Sequence, residues 1–513
     1  MKLQGKLYLT TVLLSLTWVA AKAQNEYVWA EELDGHDVSV VDLRPYAGTG
    51  YAYVGYYPNS IKFNNGKTLS NNSKEKHFLA SIDSSYKTQW VSKISGYYGG
   101  AHIEDLTIDH EGNHYITGMG QRYVYLHDTA GTKQMSIYLT YNSYRSTAYQ
   151  NGYLAKYDKH GSPKWAATLR HKWGNSHFED AQVDDSGSVY VLGSFGSGSK
   201  GSANYLTGVS STLKQVGYAD GLVAKYDSLG NLVWHRILGS EKNDNVEFMM
   251  SDGKGNLFLQ MSFGDTVTID TVKIAAAGKY LIRMNRKGRV LWAKDPILGD
   301  RPVLGSDGNI YSDDTYKGAV TIHNVQLPSA ANYSPYMVSY DTLSNFRWIK
   351  AFPGKVNSAD NSYFGNILYS ERTNQLYISG FVRDTIDFGV DRAEPNSLFL
   401  IKASAKTGNI TFIDTIKTAI RGSTIYLGNN DEVIGDMELR GPGYNGNGKI
   451  SLDSFSFQAS GTYSKTRIMF EYDMGCSGKS LSVSGPTWVC KGDSALLQAK
   501  GGHKVKWYLG STI

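Results

Sequence analysis

Two stretches of the chain repeat each other: NGYLAKYDKHGSPKW (151–165) and DGLVAKYDSLGNLVW (220–234). Both contain Ala-Lys-Tyr-Asp, and in both a Gly follows the Asp by three residues and a Trp by seven. An apolar strand ending in Asp, a turn whose Gly adopts positive φ, and a second strand with a large aromatic ring together predict a β-hairpin. We expect the Asp side chain to cap backbone amides of the turn. The Trp, including Trp234, is expected to be nearly buried.

The hairpin recurs along the chain. Copies with the same spacing contain Trp90, Trp292 and Trp348, and a weaker copy has Ser404 in the Asp position. A second hairpin follows each copy, as in AQVDDSGSVYVLGSF (181–195). The units are 56 to 75 residues long and show no helical periodicity between them. The pattern predicts an all-β fold of four-stranded units in tandem, which is typical of a β-propeller.

Two half-copies at the ends of this region complete the count. EYVWAEEL (26–33) contains a Trp without a Tyr-Asp strand before it, whereas RIMFEYD (467–473) contains Tyr-Asp without a Trp after it. We expect the last strand to pair with the first and so to close one blade, which leaves no free sheet edge. The sequence therefore predicts a seven-bladed β-propeller over residues 24–474.

The units resemble the SBBP-type β-propeller repeat of bacterial secreted proteins. Its outline is Phe-Val-Ala-Lys-Tyr-Asp-x-x-Gly-x-x-x-Trp followed by Val-Asp-x-x-Gly-Asn-Val-Tyr-Val-x-Gly, and residues 153–195 and 222–263 meet it closely. Gly305 and Ser404 depart from it in the fifth and seventh blades. The resemblance implies a seven-bladed fold that usually carries no defined catalytic set.

The N-terminus has the pattern of a secretory signal peptide over residues 1–23. Lys2 and Lys6 precede a short apolar run, and Ala21-Lys22-Ala23 offers the small-x-small site of signal peptidase. The chain is then secreted or displayed at the cell surface, and no later stretch is apolar enough to span a membrane. The full chain has a formal charge of +5, and three lysines lie in this leader, so +2 remains. This balance argues against a nucleic-acid partner.

The composition changes after residue 474. Residues 475–513 alternate apolar and polar positions around a Gly-Gly turn, which predicts the opening part of an Ig-like β-sandwich. The stretch resembles the Ig-like or PKD-like modules of large surface proteins of Bacteroidota, which often end in a sorting domain for type IX secretion. A longer, multidomain protein is therefore expected. In an oxidising compartment, Cys476 and Cys490 are expected to form a local disulfide, although pairing with a cysteine beyond residue 513 is an alternative.

The best site candidates occupy one position of two adjacent repeats. AHIEDL contains His102, Glu104 and Asp105, and SHFEDA contains His177, Glu179 and Asp180. A His-x-Glu-Asp pair could hold a metal or act in acid–base chemistry. Repeat consensus is the favoured explanation of the likeness over a ligand site, and no metal site is predicted. Equivalent positions of adjacent blades nevertheless converge near the channel mouth, so these six residues are ligand-binding candidates.

Aromatic residues supply a second set of candidates. Most tryptophans occupy the repeated hairpin position, which leaves Trp173 free for binding. The long segment 121–150 is rich in tyrosine, and its Tyr138, Tyr141 and Tyr144 are candidates for recognition. An ordinary hairpin with cross-strand aromatic pairs is the alternative.

The catalytic motifs Gly-x-Ser-x-Gly, a phosphate loop and Cys-x-x-Cys are missing from the sequence. The Asp-Gly-Trp offsets also differ from those of the sialidase Asp-box. We therefore expect a non-catalytic binding or scaffold protein that recognises an extracellular protein or polysaccharide, needs no cofactor and is monomeric. The alternative is an extracellular enzyme, such as a glycosidase or lyase, with its site at the channel mouth. Convergent carboxylates, Arg or His with perturbed pKa values there would favour the enzyme.

Overall fold

The computed structural model describes most of the chain between residues 26 and 500. The described ranges are 26–32, 38–46, 50–70, 76–96, 101–139, 149–196, 203–295, 298–299, 302–354, 362–383, 385–417, 421–428, 431–440, 449–452, 455–458, 465–473, 482–484 and 498–500. In these ranges every regular element is a β-strand, which confirms the predicted all-β class. None of the described residues forms a helix that could cross a membrane.

The strands fall into seven consecutive groups preceded by β1 (Glu26–Glu32). Group 1 has β2 (Ser39–Tyr46), β3 (Gly50–Tyr57), β4 (Ser60–Lys62), β5 (Thr68–Ser70), β6 (Lys76–Asp83) and β7 (Thr88–Gly96). Group 2 has β8 (Ala101–Ile108), β9 (His114–Gly120), β10 (Tyr123–His127), β11 (Lys133–Tyr138), β12 (Asn151–Tyr157) and β13 (Pro163–His171). Group 3 has β14 (Ser176–Val183), β15 (Val189–Phe195), β16 (Asn204–Leu206), β17 (Asp220–Tyr226) and β18 (Leu232–Leu238).

The later groups follow the same outline. Group 4 has β19 (Asn245–Ser251), β20 (Leu257–Phe263), β21 (Val267–Ile269), β22 (Val272–Ile274), β23 (Gly278–Met284) and β24 (Val290–Lys294). Group 5 has β25 (Val303–Leu304), β26 (Asn309–Gly318), β27 (Thr321–Ile322), β28 (Val325–Gln326), β29 (Ala330–Asp341) and β30 (Phe346–Ala351). Group 6 has β31 (Tyr363–Ser370), β32 (Gln375–Val382), β33 (Ile386–Asp387), β34 (Arg392–Ala393), β35 (Ser397–Ser404) and β36 (Ile410–Lys417). Group 7 has β37 (Arg421–Leu427), β38 (Val433–Arg440), β39 (Lys449–Leu452), β40 (Phe455–Gln458) and β41 (Lys465–Asp473). Two further strands, β42 (Ser482–Ser484) and β43 (Gln498–Lys500), pair antiparallel with each other in a second compact unit.

Each group forms one antiparallel main sheet, named sheets 1 to 7 after their groups. The four main strands follow one another across the sheet in chain order, with the first strand at one edge. In sheet 7 the order is β37-β38-β41-β1, so the segment 467–473 lies beside the segment that contains Trp29, as the two half-copies predict. In the part of the chain that the structure describes, seven sheets have four or more strands.

The first strands of neighbouring sheets contact one another in sequence. β2 contacts β8, β8 contacts β14, and the series continues through β19, β25, β31 and β37. The last of these, β37, contacts β2 again. The hydrophobic core lies between neighbouring sheets rather than in one central layer, since each buried cluster combines residues of two sheets. One cluster joins sheet 7 to sheet 1 through Tyr426, Ile434 and Met469. Burial of these apolar layers is the main force that holds the sheets together.

The connection between the second and third main strands carries extra strands in every group. In five groups it folds into a small two-stranded hairpin of its own. In group 2 the extra strands β10 and β11 instead extend sheet 1, because β10 pairs with β7. In group 3, β16 extends sheet 2 by pairing with β13. Sheets 1 and 2 are therefore wider than the others and present a larger outer surface.

The turn chemistry of the repeated hairpin is confirmed. Oδ1 of Asp227 accepts the backbone N–H groups of Leu229 (3.0 Å) and Asn231 (2.8 Å). Gly230 has φ of +87°, and a Cβ there would lie 2.7 Å from the ring of Trp165. Gly is required at this position both for its backbone conformation and for the close approach of an indole ring.

The tryptophan side chains of the motif do not lie where the sequence predicts. Each described Trp of the motif lies on the outermost main strand of its sheet, and four of them, Trp90, Trp165, Trp234 and Trp348, reach the turn of the following sheet. The indole N–H of Trp165 donates to the carbonyl of Ser228 (3.1 Å), and that of Trp234 donates to the carbonyl of Arg286 (3.1 Å). The prediction that Trp234 is nearly buried is wrong, because a ring laid over a surface turn is only half-buried.

The Lys of Ala-Lys-Tyr-Asp also has a structural role. Lys225 points along the sheet to Tyr190, with Nζ 4.6 Å from the ring centroid and 2.7 Å from the hydroxyl. The same Nζ donates to Asp184 Oδ2 at 3.0 Å. Lys156 lies 5.1 Å from the ring of Tyr115 in the same way. In sheets 2 and 3 the motif thus places a cation over an aromatic ring of the same sheet.

Candidate functional site

A β-bulge interrupts the first strands of sheets 1, 2 and 3 at equivalent positions. The register shifts at Val41 in β2, at Glu104 in β8 and at Glu179 in β14. These are the extra residues that have no partner opposite them. The bulge turns the next residue, Asp105 or Asp180, toward the neighbouring sheet. The repeated Glu-Asp pair therefore marks a bulge and the residue that follows it.

The Asp after each bulge joins its sheet to the next one. Its carboxylate accepts a backbone N–H from the first strand of the following sheet. The three bonds run from Leu106 to Asp42 (3.0 Å), from Ala181 to Asp105 (3.2 Å) and from Met249 to Asp180 (2.8 Å). Asn366 in β31 makes the equivalent bond with the N–H of Ile425 (3.1 Å). The structure thus gives Asp105 and Asp180 a role in sheet-to-sheet contact, consistent with repeat consensus.

Arg44 lies among these carboxylates. Its Nη2 atom is 3.0 Å from Asp42 Oδ2 and 3.2 Å from Asp105 Oδ1. Its Nε atom donates to the carbonyl of Leu106 at 2.9 Å. The positive charge also acts on Asp180. One guanidinium therefore interacts with three carboxyl groups. We name these four residues, Asp42, Arg44, Asp105 and Asp180, the aspartate cluster.

The charge imbalance of the aspartate cluster perturbs its pKa values. Burial, together with the negative charge of Asp105, raises the pKa of Asp42 to about 7, although Arg44 opposes the shift. Burial and Asp105 likewise raise the pKa of Asp180 to about 8. Burial acts to lower the pKa of Arg44, but Asp42 and Asp105 outweigh it and raise the pKa. Such perturbation marks functional sites and structural ion networks alike.

Sequence reasoning missed Asp42 and Arg44. Both lie in SVVDLRPY, which occupies the same position in the first sheet as AHIEDLTI in the second. Alignment of the first strands through the apolar residue after each Asp would have revealed Asp42. Arg44 has no counterpart in the other repeats, so no pattern identifies it.

A second group of polar side chains contains His177, Glu179 and Glu104 of the His-x-Glu-Asp repeats, together with Ser194. His177 Nε2 is 2.7 Å from Glu179 Oε1 and 2.8 Å from the hydroxyl of Ser194. Because both partners share one ring nitrogen, this is not the relay geometry of a catalytic triad, in which Ser and carboxylate use opposite nitrogens. Burial and the charge of Glu179 raise the pKa of Glu104, while His177 opposes them. Burial acts to lower the pKa of His177, but Glu179 and Glu104 raise it overall.

His102 lies apart from the group around His177. Its ring is 5.9 Å from that of His77, and its carbonyl accepts the hydroxyl of Tyr153 at 3.1 Å. Burial, with the nearby His102, lowers the pKa of His77 to about 3. Among the described residues no group of three or more His, Cys, Asp or Glu side chains is arranged to hold a metal ion.

The tyrosine-rich segment forms an outer surface that crosses from sheet 1 to sheet 2. Tyr123 and Tyr125 on β10 have parallel rings 6.0 Å apart, and the ring of Tyr138 on β11 is 5.2 Å from that of Tyr123. Arg170 on β13 lies 5.9 Å from the ring of Tyr138 and 5.5 Å from the ring of Tyr205. The segment does form a hairpin with cross-strand aromatic pairs. All four tyrosine rings are only half-buried, so the same hairpin also presents an aromatic surface.

Lysines flank these rings on the same face of sheet 1. Lys76 pairs with Ser95, and Ser95 pairs with Tyr125, so these three side chains lie in one row. In the next row His127 pairs with Lys133, whose Nζ lies 5.0 Å from the ring of Tyr125. We name this surface the basic tyrosine face; it consists of Lys76, Lys93, Tyr123, Tyr125, His127, Lys133, Tyr138, Arg170 and Tyr205.

The cations of the basic tyrosine face repel one another. Burial and the neighbouring Lys93 lower the pKa of Lys76 to about 8. Burial, Lys93 and Lys133 lower the pKa of His127, although the carbonyl of Gly131 and Asp128 oppose them. Strands β7, β10 and β11 contain no Asp or Glu. The positive charge of this surface is therefore not balanced by any acidic side chain within these three strands.

The remaining candidates are one tryptophan, two tyrosines and two cysteines. Trp173 is 50% exposed in the loop between β13 and β14, with Lys172 Nζ 5.5 Å from its ring. Tyr141 and Tyr144 lie outside the described residues, as do Cys476 and Cys490. The local disulfide therefore stays a prediction.

Comparison with known proteins assigns no family to the chain. No protein-family model and no curated protein matches the sequence, so the likeness to the SBBP-type repeat stays a prediction. Among solved structures, the chain is similar to quinohemoprotein alcohol dehydrogenase from Comamonas testosteroni, with 11% identity and a TM-score of 0.35, covering 87% of this chain and 76% of that one. Prolyl oligopeptidase B from Galerina marginata gives 8% identity and a TM-score of 0.36, covering 78% and 46%. Puromycin hydrolase gives 8% identity and a TM-score of 0.32, covering 78% and 58%, so the chain spans only about half the length of these last two proteins.

Proposed function

We propose that residues 24–474 form a closed seven-bladed β-propeller in which β1 and β41 complete the seventh blade. Three observations support this proposal: the seven main sheets, the succession of first-strand contacts that returns from β37 to β2, and the buried cluster that joins sheet 7 to sheet 1. Closure of this kind protects the outer edges of a repeated sheet structure. An Ig-like module after residue 474 remains part of the proposal.

We further propose that the propeller is a non-catalytic binding or scaffold protein, secreted or displayed at the cell surface, that recognises an extracellular polysaccharide or protein. The basic tyrosine face carries this proposal, because half-exposed tyrosines and an arginine, here Arg170, are side chains that recognition surfaces favour. The convergent carboxylates offer less support for catalysis. Each of Asp42, Asp105 and Asp180 already accepts a backbone hydrogen bond from the next sheet.

The second candidate is a glycosidase or lyase, and the group around His177 favours it. Glycoside hydrolysis commonly uses two carboxyl groups, one of which has a raised pKa and acts as the acid. Glu104, whose pKa is raised, and Glu179, which contacts His177, could fill these two roles.

One experiment separates the two candidates. The purified mature protein is incubated with a panel of neutral and acidic polysaccharides, and both retention of the polymer and release of new chain ends are measured. We expect retention without new ends, and we expect retention to fall when Tyr123 and Tyr138 are replaced by Ser. Release of new ends that Glu104→Gln or Glu179→Gln abolishes would establish the enzyme instead.

A further inference from the structure

We infer that the basic tyrosine face binds an acidic polysaccharide, a linear sugar polymer that carries carboxylate groups. This inference rests on the proposed binding function and specifies its ligand. The face extends over two sheets, because the ring of Tyr138 contacts that of Tyr123 in sheet 1 and the guanidinium of Arg170 in sheet 2. A surface that extends over two sheets suits a linear polymer that makes many weak contacts along its length.

The charges of the face define the sign of its ligand. Lys76, Lys93, Lys133 and Arg170 belong to none of the salt bridges that the structure describes. The carboxylate of Asp128, which acts on His127, accepts the backbone N–H of Thr132 (2.8 Å) and so caps the turn between β10 and β11. An anion bound over the face would relieve the repulsion between Lys76 and Lys93. Carboxylates are natural partners for these cations, above all for the planar guanidinium of Arg170.

The aromatic rings favour a sugar polymer over the other polyanions. Each tyrosine offers an apolar edge beside a hydroxyl, which matches the mixed C–H and hydroxyl surface of a sugar ring. The tyrosine rings are half-buried and in contact with one another, so they present little open face on which nucleobases could stack. The formal charge of the whole chain, only +5, is also small for a nucleic-acid binder.

The test measures affinity for four probes at low and at physiological salt. The probes are polygalacturonate, neutral dextran, poly-glutamate and single-stranded oligothymidylate. We expect polygalacturonate to bind and dextran not to bind, with affinity falling as salt is raised because exposed charge contacts are screened. Poly-glutamate and the oligonucleotide share the charge but not the sugar rings, so we expect them to bind at least about tenfold more weakly, the loss of about one good polar contact.

Variants locate the site. Arg170→Gln and the double variant Tyr123→Ser/Tyr138→Ser should each weaken polygalacturonate binding by about tenfold or more. Lys133 is exposed, so Lys133→Gln should fold normally even if the tyrosine double variant does not. The matched control is Lys317→Gln/Tyr333→Ser, which removes a Lys–Tyr pair of the same kind (5.8 Å) from sheet 5 and should leave binding unchanged.

The outcomes separate this inference from the proposed function. Equal binding of poly-glutamate or oligothymidylate, or loss of binding in the control variant, would overturn the assignment of an acidic polysaccharide. If a neutral glycan or a protein binds instead, and the face variants abolish that binding, the acidic-polysaccharide assignment is wrong while the binding function stands. If no ligand responds to the face variants, both are wrong.

Discussion

At the residue scale, the repeated Trp is a contact between sheets rather than a core residue of its own hairpin. Four indole groups, those of Trp90, Trp165, Trp234 and Trp348, donate to a carbonyl in the turn of the next sheet. The motif Asp-x-x-Gly-x-x-x-Trp therefore encodes both halves of one interaction, since each repeat supplies a turn to the repeat before it and a ring to the repeat after it.

This role predicts the stability of a variant at Trp234. Replacement by Ala removes a half-buried ring and one hydrogen bond, so we expect the free energy of unfolding to fall by roughly 2–3 kcal/mol, less than for a fully buried Trp. Urea unfolding measures the change. Trp234→Phe keeps a ring and should lose less, whereas Leu229→Ala, at a position 77% exposed, should be neutral. A neutral Trp234→Ala would contradict the role.

The aspartate cluster makes a prediction about pH at the same scale. Asp180 has a folded-state pKa of about 8, raised by burial and by Asp105 from an ordinary value of 3.8. Between these values the folded state holds more protons than the unfolded state, so stability falls as pH rises from about 4 to about 8. Asp42 acts in the same direction.

We therefore expect Asp180→Asn to flatten the pH dependence of the urea midpoint between pH 5 and pH 8.5, since Asn keeps an acceptor for the N–H of Met249. Asp227→Asn is the control. Hydrogen bonds from Asn231 lower the pKa of Asp227 despite partial burial, so that variant should alter the profile only below about pH 4. A wild-type midpoint that rises steadily from pH 5 to pH 8.5 would contradict the shift.

At the element scale, the third main strands of sheets 2 and 3 each carry a lysine packed against an aromatic ring. Lys225 lies between Asp184 and Tyr190, whereas Lys156 contacts the ring of Tyr115 and the carbonyl of Ser228. The two lysines occupy the same repeat position but differ in one respect: only Lys225 contacts a carboxylate. This difference makes them a matched pair for mutation.

We expect Lys225→Met to lower the free energy of unfolding by about 3 kcal/mol, because it leaves the carboxylate of Asp184 buried without its cation. Lys156→Met should cost less, since the side chain leaves no buried charge behind. Calorimetric or urea unfolding gives both values. The double variant Lys225→Met/Asp184→Asn should recover part of the loss, and additive losses in that variant would argue against the ion pair.

The sequence predicts elements and turns well because they depend on neighbours along the chain. The Asp and Gly of each turn lie within four residues of the amides they serve, so their spacing shows directly in the sequence. The contacts of Trp234, Asp105 and Lys225 reach another repeat or another strand. No spacing within one hairpin contains that information, which is why Trp234 is wrongly expected to be buried and why the bulge at Glu104 is not foreseen.

At the scale of the whole molecule, the pairing of β1 with β41 holds the two ends of the repeat region together. The strand β1 comes from the start of the chain, whereas the other strands of sheet 7 come from its last repeat. Loss of β1 therefore exposes the edge of β41 with which it pairs.

We predict that deletion of residues 24–32 lowers the midpoint of thermal unfolding of the whole propeller and promotes self-association, because an exposed strand edge pairs readily with other chains. Differential scanning calorimetry and analytical ultracentrifugation measure the two effects. Deletion of residues 475–513 is the control: these residues belong to a separate compact unit, so their loss should leave the main transition unchanged. A deletion of 24–32 that melts like the full chain and stays monomeric would show that β1 is dispensable, and the seventh sheet would then be complete with three strands. Because adjacent sheets share their buried clusters, we expect one cooperative transition in both variants rather than separate melting of sheet 7.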